Sequence, residues 1–288
     1  MKIIYKIPGY ILCLLGGFFL SWGGLIIRSF ETNDIWQILL IRSFFFMIAL
    51  IIFLVLTYKK DTIVVIKKSG LPAVVAGLFL SLSFVAYIVA MSKTSVANVV
   101  FIISTQTIFL AIFGYLFLRE KINFKGFVAI TLALVGVVVM IGDSINQGTL
   151  FGNIVAFAIP INFTILVMII RKFPKLDMVP AIFYSGIFSG LYGLFLSNNM
   201  YFSANDLLMG FLLGVPQLAF GFICVTIGTK TTPAVTVGLL MLLETIFAPI
   251  WVWIFLNETP PLSVFTGGAI IIFAVILKSF DKSKKLSI

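Results

Sequence analysis

The sequence predicts an all-α membrane protein with ten transmembrane helices, built as two five-helix repeats of opposite orientation with both termini in the cytoplasm. Three observations predict this fold: apolar runs along the whole chain, an uneven distribution of lysine and arginine between these runs, and an internal repeat whose copies lie an odd number of runs apart. We expect the first repeat to cover residues 1–143 and the second to cover residues 144–288.

The composition is that of a chain that lies mostly in lipid. Its 288 residues are 61% hydrophobic and 10% charged, with a mean hydropathy of +1.20, whereas a soluble globular domain is about 25% charged. The apolar residues form continuous runs, which favours helices over the alternating strands of a membrane barrel. Ten runs have lengths near that of a spanning helix, roughly 20 residues: 9–27, 35–57, 71–91, 96–118, 124–141, 150–170, 178–197, 207–228, 234–256 and 262–280.

Basic residues predict how these helices cross the membrane. The first 28 residues contain lysines followed by an apolar run without a small-residue cleavage site, so we expect a retained first span. With a cytoplasmic N-terminus, 17 lysine and arginine residues fall on the cytoplasmic side, 2 on the other side, and Arg42 inside a span. This bias supports ten spans with both termini inside, and we expect a multi-pass protein of the inner membrane. Because the cations lie in short loops and form no patch, the net charge of +10 does not indicate nucleic acid.

Two stretches of the chain, 87–126 and 224–267, are similar to each other. The matching positions are Lys93-Thr94-Ser95 with Lys230-Thr231-Thr232, Ala97 with Ala234, Thr107-Ile108-Phe109 with Thr245-Ile246-Phe247 after a one-residue shift, and Glu120 with Glu258. The copies lie five runs apart, so they enter the membrane with opposite orientations. Inverted repeats place a binding site at their interface near the midplane and supply two related conformations for alternating access.

Short motifs recur at the expected spans. They are Trp22-Gly23 in the first span, Arg42 before three phenylalanines in the second, and residues 117–121 and 255–258 at the ends of the fourth and ninth. Together they resemble the drug/metabolite transporter superfamily, in its EamA-type branch, over nearly the whole chain. The resemblance implies a secondary transporter that exports a small organic metabolite such as an amino acid, with the first four helices of each half around a cavity and the fifth at the periphery.

One departure from the family pattern concerns the fourth and ninth spans. The family usually has proline where this sequence has Thr107 and Thr245. A proline would remove one backbone hydrogen bond and bend the helix. Pro249, one turn after Thr245, is the candidate replacement in the ninth span.

Glu244 is the leading candidate for a functional residue. It lies 14 residues after Lys230 and 14 before Glu258, which puts it near the midplane of a hydrocarbon layer about 30 Å thick. An ionisable group there costs roughly 3 kcal/mol or more and is functional by default. We expect Glu244 to bind a substrate ammonium or to carry a proton. The alternative is a protonated or paired carboxyl that only packs helices.

Arg42 is the second charged candidate. It lies eight residues after Asp34, about 12 Å inside the membrane. It could bind a substrate carboxylate through two hydrogen bonds, or instead reach back to the surface and pair with Glu31 or Asp34. An ion pair between Arg42 and Glu244 is a further hypothesis, because both side chains are long.

Other polar and aromatic residues also lie inside the apolar runs. An amide in hydrocarbon must find a partner, so such residues turn towards the bundle interior, where they contact substrate or hold helices together. We expect Trp251 and Trp253 to anchor the ninth span at the membrane interface. The candidates for substrate contact are Trp22, Tyr87, Asn98, Gln106, Asn162 and Gln217.

The residue inventory argues against catalysis. The chain has no histidine, and Cys13 and Cys224 lie inside spans without a CxxC motif, so we expect no metal site, no disulfide and no cofactor. It has no phosphate-binding P-loop. We expect a small-molecule substrate, lipid contacts and protons as the candidate coupling ion, in a monomer or weak homodimer. A non-transporting membrane scaffold and a channel remain the alternatives.

Overall fold

The computed structural model describes residues 2–94, 96–120, 123–141, 150–256 and 262–279, and within these ranges every regular element is helical. Two short 3₁₀ helices cover Lys2–Lys6 and Lys59–Asp61, and a π-helical turn covers Leu213–Ala219. The α-helices are α1 (Gly9–Leu20), α2 (Gly23–Arg28), α3 (Ile35–Tyr58), α4 (Thr62–Lys93), α5 (Val96–Ser104), α6 (Gln106–Leu118), α7 (Phe124–Ile141), α8 (Leu150–Ala156), α9 (Ala158–Lys172), α10 (Val179–Leu196), α11 (Ala204–Leu212), α12 (Phe220–Thr229), α13 (Ala234–Met241), α14 (Leu243–Leu256) and α15 (Leu262–Ser279).

The helices have the length and surface of membrane-spanning segments. Large apolar side chains remain exposed on the outside, with Phe124 81% and Phe195 80% exposed, as expected of a surface that contacts lipid. The described residues contain three shorter apolar helices: Ile102–Leu118, Phe124–Gly136 and Phe265–Ala274. Six stretches are long and apolar enough to cross a membrane: Gly9–Arg28, Ile35–Lys93, Leu150–Lys172, Val179–Leu196, Ala204–Thr229 and Ala234–Phe255. The protein is therefore a multi-pass membrane protein.

Several apolar runs are interrupted near their middle, so that two helices replace one. The interruptions lie at Ser21-Trp22, Thr105, Phe157 and Leu242, between α1 and α2, α5 and α6, α8 and α9, and α13 and α14. Their ψ angles, −13° at both Thr105 and Leu242, are flatter than in an α-helix and typical of 3₁₀ geometry. The fourth and ninth runs are thus interrupted two and three residues before the threonines that replace the family's prolines.

Hydroxyl groups support two of these interruptions. Thr105 Oγ1 donates to the carbonyl oxygen of Ile102, and Ser21 Oγ donates to that of Phe18, each at 2.6 Å. A hydroxyl that bonds back to the preceding turn competes with the helical hydrogen bond and bends the helix. Serine and threonine therefore help to bend the helix at these positions, as proline does in other helices.

Helices α3 and α10 form an antiparallel pair that is held at both ends by aspartates. Asp34 caps α3 by accepting from Trp36 N (2.9 Å), and its second oxygen accepts from Asn198 N (3.0 Å) beyond the end of α10. Asp177 caps α10 by accepting from Val179 N (2.9 Å). Its second oxygen accepts hydrogen bonds from the hydroxyls of Tyr58, at the end of α3, and Tyr5. Each aspartate therefore starts one helix and holds the end of the other.

Tyr5 joins the N-terminal segment to this pair. Its hydroxyl lies 2.8 Å from the Asp177 carboxylate. Burial and the nearby carboxylate raise the pKa of Tyr5 above its usual range. The hydroxyl therefore stays protonated and remains a hydrogen-bond donor throughout the physiological pH range.

The α3–α10 pair is closely packed near the end of α10 and the start of α3. We expect Gly193→Ala to lower the free energy of unfolding by about 1–3 kcal/mol, because the added Cβ would lie 2.7 Å from Leu40 N and 2.8 Å from Leu40 Cα. Gly190→Ala, one turn earlier on α10, is the matched control, since its Cβ would meet only side-chain atoms at 3.5 and 3.6 Å. Thermal unfolding of the detergent-purified variants measures both effects. Equal melting temperatures would contradict this close contact between the two helices.

Helices α7 and α15 lie beside the bundle and pack mainly against each other. They contribute to a separate apolar cluster with α13, whose buried members include Ala133, Leu239 and Ile271. The larger apolar cluster contains residues from α1, α3, α4, α6, α9, α10 and α13. Neither α7 nor α15 contributes to the cavity described next.

Candidate functional site

A cavity of about 60 Å³ lies in the interior of the bundle, between the two halves of the chain. Most of its wall is apolar, and the polar side chains are few. The lining residues are Leu20, Arg42, Leu80, Ser83, Phe84, Tyr87, Ile103, Gln106, Ile159, Phe163, Gln217, Leu218, Phe222, Met241 and Glu244.

Glu244 and Arg42, the two charged candidates from the sequence, both line this cavity. Glu244 is the second residue of α14, directly after the interruption at Leu242. Arg42 is only 1% exposed; its guanidinium lies 5.0 Å from the centre of the Phe84 ring, and Nη2 donates to Phe84 O at 3.4 Å. Arg42 Nε has no hydrogen-bond partner among the described residues. The cavity therefore contains a buried cation whose hydrogen-bonding capacity is only partly used.

The ion pair hypothesised between Arg42 and Glu244 is not formed in this structure. Within the described ranges, the two side chains make no contact of 4.0 Å or less between nitrogen and oxygen. Tyr87 lines the same cavity as these two charged side chains. The three groups thus surround one small space without neutralising each other directly, which leaves room for a ligand between them.

In the alignment of residues 87–126 with residues 224–267, Gln106 matches Glu244. The one-residue shift that aligns Thr107 with Thr245 also aligns Gln106 with Glu244. Gln106 is the first residue of α6 and follows the interruption at Thr105, and it lines the same cavity. An amide in one repeat and a carboxyl in the other make the cavity electrostatically asymmetric.

Gln217 reaches the cavity from the π-helical turn that contains Pro216. It is 4% exposed, and its Nε2 donates to the carbonyl oxygen of Leu20 at 3.0 Å. Its Oε1 is buried and has no partner among the described residues. A π-helical turn shifts the register of the side chains that follow, and such turns are frequent at functional sites.

Three of the predicted contact residues do not join this group. Trp22 packs on Phe18, Phe19 and Trp251 and does not line the cavity. Asn162 is 8% exposed in α9 and does not line the cavity. Asn98 lies in α5, but its side chain falls outside the described residues.

The two tryptophans of the ninth run differ from each other. Trp251 donates from Nε1 to Ser21 Oγ at 2.8 Å and stacks on Phe247, so its prediction as an interface anchor is wrong. It packs instead against the interruption between α1 and α2. Trp253 is 40% exposed and contacts Phe265 edge-on, an arrangement compatible with an interface position.

The sequence did not predict all of the residues that line the cavity. Leu80, Ser83, Phe84 and Tyr87 line the cavity from α4. Their spacing of three, four and seven residues puts them on one face of a helix. Tyr87 was the visible member of this stripe, and helical spacing from it would have found the other three.

A polar cluster ties the two halves together at the end of the bundle that carries the N-terminus. Glu120 and Arg171 form an ion pair at 2.5 Å, with side chains 10% and 17% exposed. Glu120 also accepts from Ala234 N at 2.9 Å, which caps α13. Arg171 Nη1 donates to Thr232 O at 2.9 Å. We call these residues the Glu120 cluster; it joins the ends of α6 and α9 to the start of α13.

The opposite end of the bundle is tied by different groups. Asp206 accepts from the backbone nitrogens of Glu31 (2.8 Å) and Thr32 (3.3 Å). Asn205 Nδ2 donates to Ser29 O at 2.9 Å. These contacts join the loop before α3 to α11, so hydrogen bonds between the halves exist at both ends of the cavity.

Comparison with known proteins identifies the family of this chain. The family model described as "EamA-like transporter family" matches residues 7–142 and again residues 146–280. An uncharacterized transporter from Clostridium kluyveri is 26% identical over 302 residues, which cover 96% of this chain and 94% of that one. One from Methanothermobacter thermautotrophicus is 27% identical over 225 residues, covering 73% of this chain and 61% of that protein. One solved crystal structure matches with a TM-score of 0.79 at 14% identity, over 94% of this chain and 96% of that one, which shows the fold alone. The two family matches together cover nearly the whole chain, and the protein belongs to the EamA-like transporter family.

Proposed function

We propose that this protein is a secondary transporter of the inner membrane that exports a small organic metabolite, an amino acid or a related amphiphile, by alternating access. One observation carries the proposal: a carboxyl from one half of the chain and a guanidinium from the other line a common cavity beside interrupted helices. Transporters built from inverted repeats hold their substrates at such interrupted helices near the midplane.

The proposed architecture groups the helices into ten spans, with both termini in the cytoplasm. The spans are α1–α2, α3, α4, α5–α6, α7, α8–α9, α10, α11–α12, α13–α14 and α15. The reciprocal contacts of Asp34 and Asp177 support an inverted repeat, because these residues are 143 positions apart and act at opposite ends of one antiparallel helix pair. The match between Gln106 and Glu244 supports it independently.

Arg42 and Glu244 have complementary roles in this proposal. Arg42 binds the carboxylate of the substrate, since guanidinium donors match carboxylate oxygens in geometry and charge. Glu244 binds the substrate ammonium or, when the cavity is empty, a proton. An ionisable carboxyl inside the bundle that alternates between these two ligands couples substrate export to proton entry.

Alternating access requires that one end of the cavity opens while the other stays closed. The Glu120 cluster is the proposed gate at the cytoplasmic end, since it joins a helix end of the first half to a helix end and a helix start of the second half. The contacts of Asp206 and Asn205 are the proposed gate at the outer end. Because both sets are formed here, we assign this conformation to an occluded state.

Counterflow in liposomes tests the proposed function. Protein reconstituted with an internal mixture of the twenty unlabelled amino acids is expected to accumulate external labelled leucine transiently above its equilibrium level. A proton gradient is expected to change the final level of accumulation. A channel would equilibrate leucine without an overshoot, and a scaffold protein would leave the liposomes impermeable. Either result would contradict the proposal.

A further inference from the structure

We infer that Gln217 makes the transporter select substrates that carry a free ammonium group over substrates whose nitrogen is fully methylated. This inference rests on the proposed function and adds a specificity residue to it. Gln217 comes from the π-helical turn, on a different helix from Arg42 and Glu244, and lines the same cavity.

The orientation of the Gln217 amide follows from its one hydrogen bond. A backbone carbonyl can only accept, so the group that contacts Leu20 O at 3.0 Å must be the NH₂. The amide oxygen is thereby left as a pure acceptor in the interior of the bundle. It has no partner among the described residues, and an unmet buried acceptor costs about 1–3 kcal/mol. A donor on the ligand would remove this cost.

The interruption of the first span supplies the anchor for this amide. Leu20 is the last residue of α1, so its carbonyl is one of those that lack a partner inside the helix. Gly23, at the start of α2, makes room for the arrangement. A Cβ at Gly23 would lie 3.0 Å from Gln217 Nε2 and 2.6 Å from the Tyr87 hydroxyl. Gln217 and Tyr87 therefore pack together over this glycine.

The polar groups of the cavity divide into acceptors and a donor. Gln217 Oε1 and the carboxylate of Glu244 accept hydrogen bonds, whereas Arg42 offers an unused N–H. A ligand with an ammonium and a carboxylate satisfies both sides. A primary ammonium has three N–H donors for the two acceptors, but a trimethylammonium has none and is also wider. The rest of the wall is mostly apolar, with Ser83, Tyr87 and Gln106 as its further polar members, and suits an aliphatic or aromatic side chain.

The test compares three probes of similar apolar size in liposomes that contain the full-length protein. They are leucine, N,N,N-trimethylleucine and 4-methylpentanoate, which lacks the nitrogen. Each is used to inhibit counterflow of labelled leucine. We expect wild-type protein to prefer leucine over the trimethyl compound, and Gln217→Met to reduce this preference about tenfold. Inhibition by 4-methylpentanoate, which cannot donate to Gln217, should change little.

Two further variants distinguish recognition from packing. Gln217→Glu, as the protonated acid, keeps a donor to Leu20 O and an acceptor in the same place, and should keep the preference for leucine over the trimethyl compound. Asn162→Leu removes a similarly buried amide that does not line the cavity, and it should leave the preference at the wild-type value.

The possible failures are separable. The role of Gln217 would be overturned if Gln217→Met kept the wild-type preference for leucine over the trimethyl compound. It would also be overturned if the variant lost inhibition by all three probes equally. Either result would leave the proposed transport intact. Wild-type protein that shows leucine counterflow but no preference would do the same. If wild-type protein responds to none of the three probes, the proposed substrate class is wrong, and the inference fails with it.

Discussion

In Glu120→Ala, the thiol of Cys13 is expected to react with a small thiol reagent roughly 30-fold faster than in the parent protein. The substitution removes the charge that neutralises Arg171 and the acceptor that caps α13. Loss of both, at a site that is partly exposed, should destabilise the closed form of the proposed gate by about 2 kcal/mol. That free energy corresponds to roughly a 30-fold change in the population of the open end.

Cys13 is a native reporter of this end. It is fully buried, and its Sγ lies 2.9 Å from the position that a Cβ on Gly228 would take. The following residues, Thr229 and Thr232, give the carbonyl oxygens that Arg171 binds. Labelling is measured in a Cys224→Ser background, which leaves one thiol in the described part of the chain.

A double variant with the two charges exchanged serves as a control for this experiment. Glu120→Arg combined with Arg171→Glu recreates an ion pair with the charges reversed. Cys13 in this double variant should be labelled more slowly than in Glu120→Ala. Labelling should stay faster than in the parent protein, because the N-terminus of α13 then lacks its carboxylate cap. Lys172→Ala, next to Arg171 but outside the cluster, should label like the parent protein. Unchanged labelling of Glu120→Ala would contradict the proposed gate.

Glu244→Gln is expected to reduce leucine counterflow at least 100-fold, because the amide can neither neutralise an ammonium nor exchange a proton at working pH. Removing one member of a buried charge interaction costs about 2–5 kcal/mol. The residual transport should also lose its dependence on external pH. Initial rates in liposomes between pH 5.5 and 8.5 measure both quantities. A variant that keeps the wild-type rate and the wild-type pH dependence would exclude the coupling role.

The repeat offers a sharper version of this experiment. In the double variant Gln106→Glu with Glu244→Gln, the carboxyl moves to the equivalent position of the other half. Because both positions line the cavity beside a helix interruption, we expect transport to recover partly and to regain its pH dependence. Glu31→Gln, an exposed carboxyl at the opposite end, serves as the matched control with wild-type rates.

The sequence predicted the class of fold because hydropathy, charge bias and an internal repeat are properties of whole segments. Five of its candidate residues line the cavity: Arg42, Tyr87, Gln106, Gln217 and Glu244. Each is polar at a depth where lipid offers no partner, so each had to face the interior.

Which interior surface a residue faces could not be predicted in the same way. A helix that is apolar all round carries no pattern that fixes its rotation, so Trp22, Trp251 and Asn162 gave the same signal as the cavity residues. The helix interruptions at Thr105 and Leu242 lie beside positions where the family has proline, and here they form without it. The Glu120 cluster joins three separate segments, and such contacts depend on tertiary packing.

The reciprocal contacts of Asp34 and Asp177 have a consequence for a divided protein. Each carboxylate fastens the tail of a helix that belongs to the other half. Fragments 1–143 and 144–288 produced separately would each lose this fastening and should be degraded, whereas the two fragments produced together should accumulate. Complementation between fragments would thus depend on two aspartates far from the cavity, and transport could be lost by substitutions that never touch the substrate.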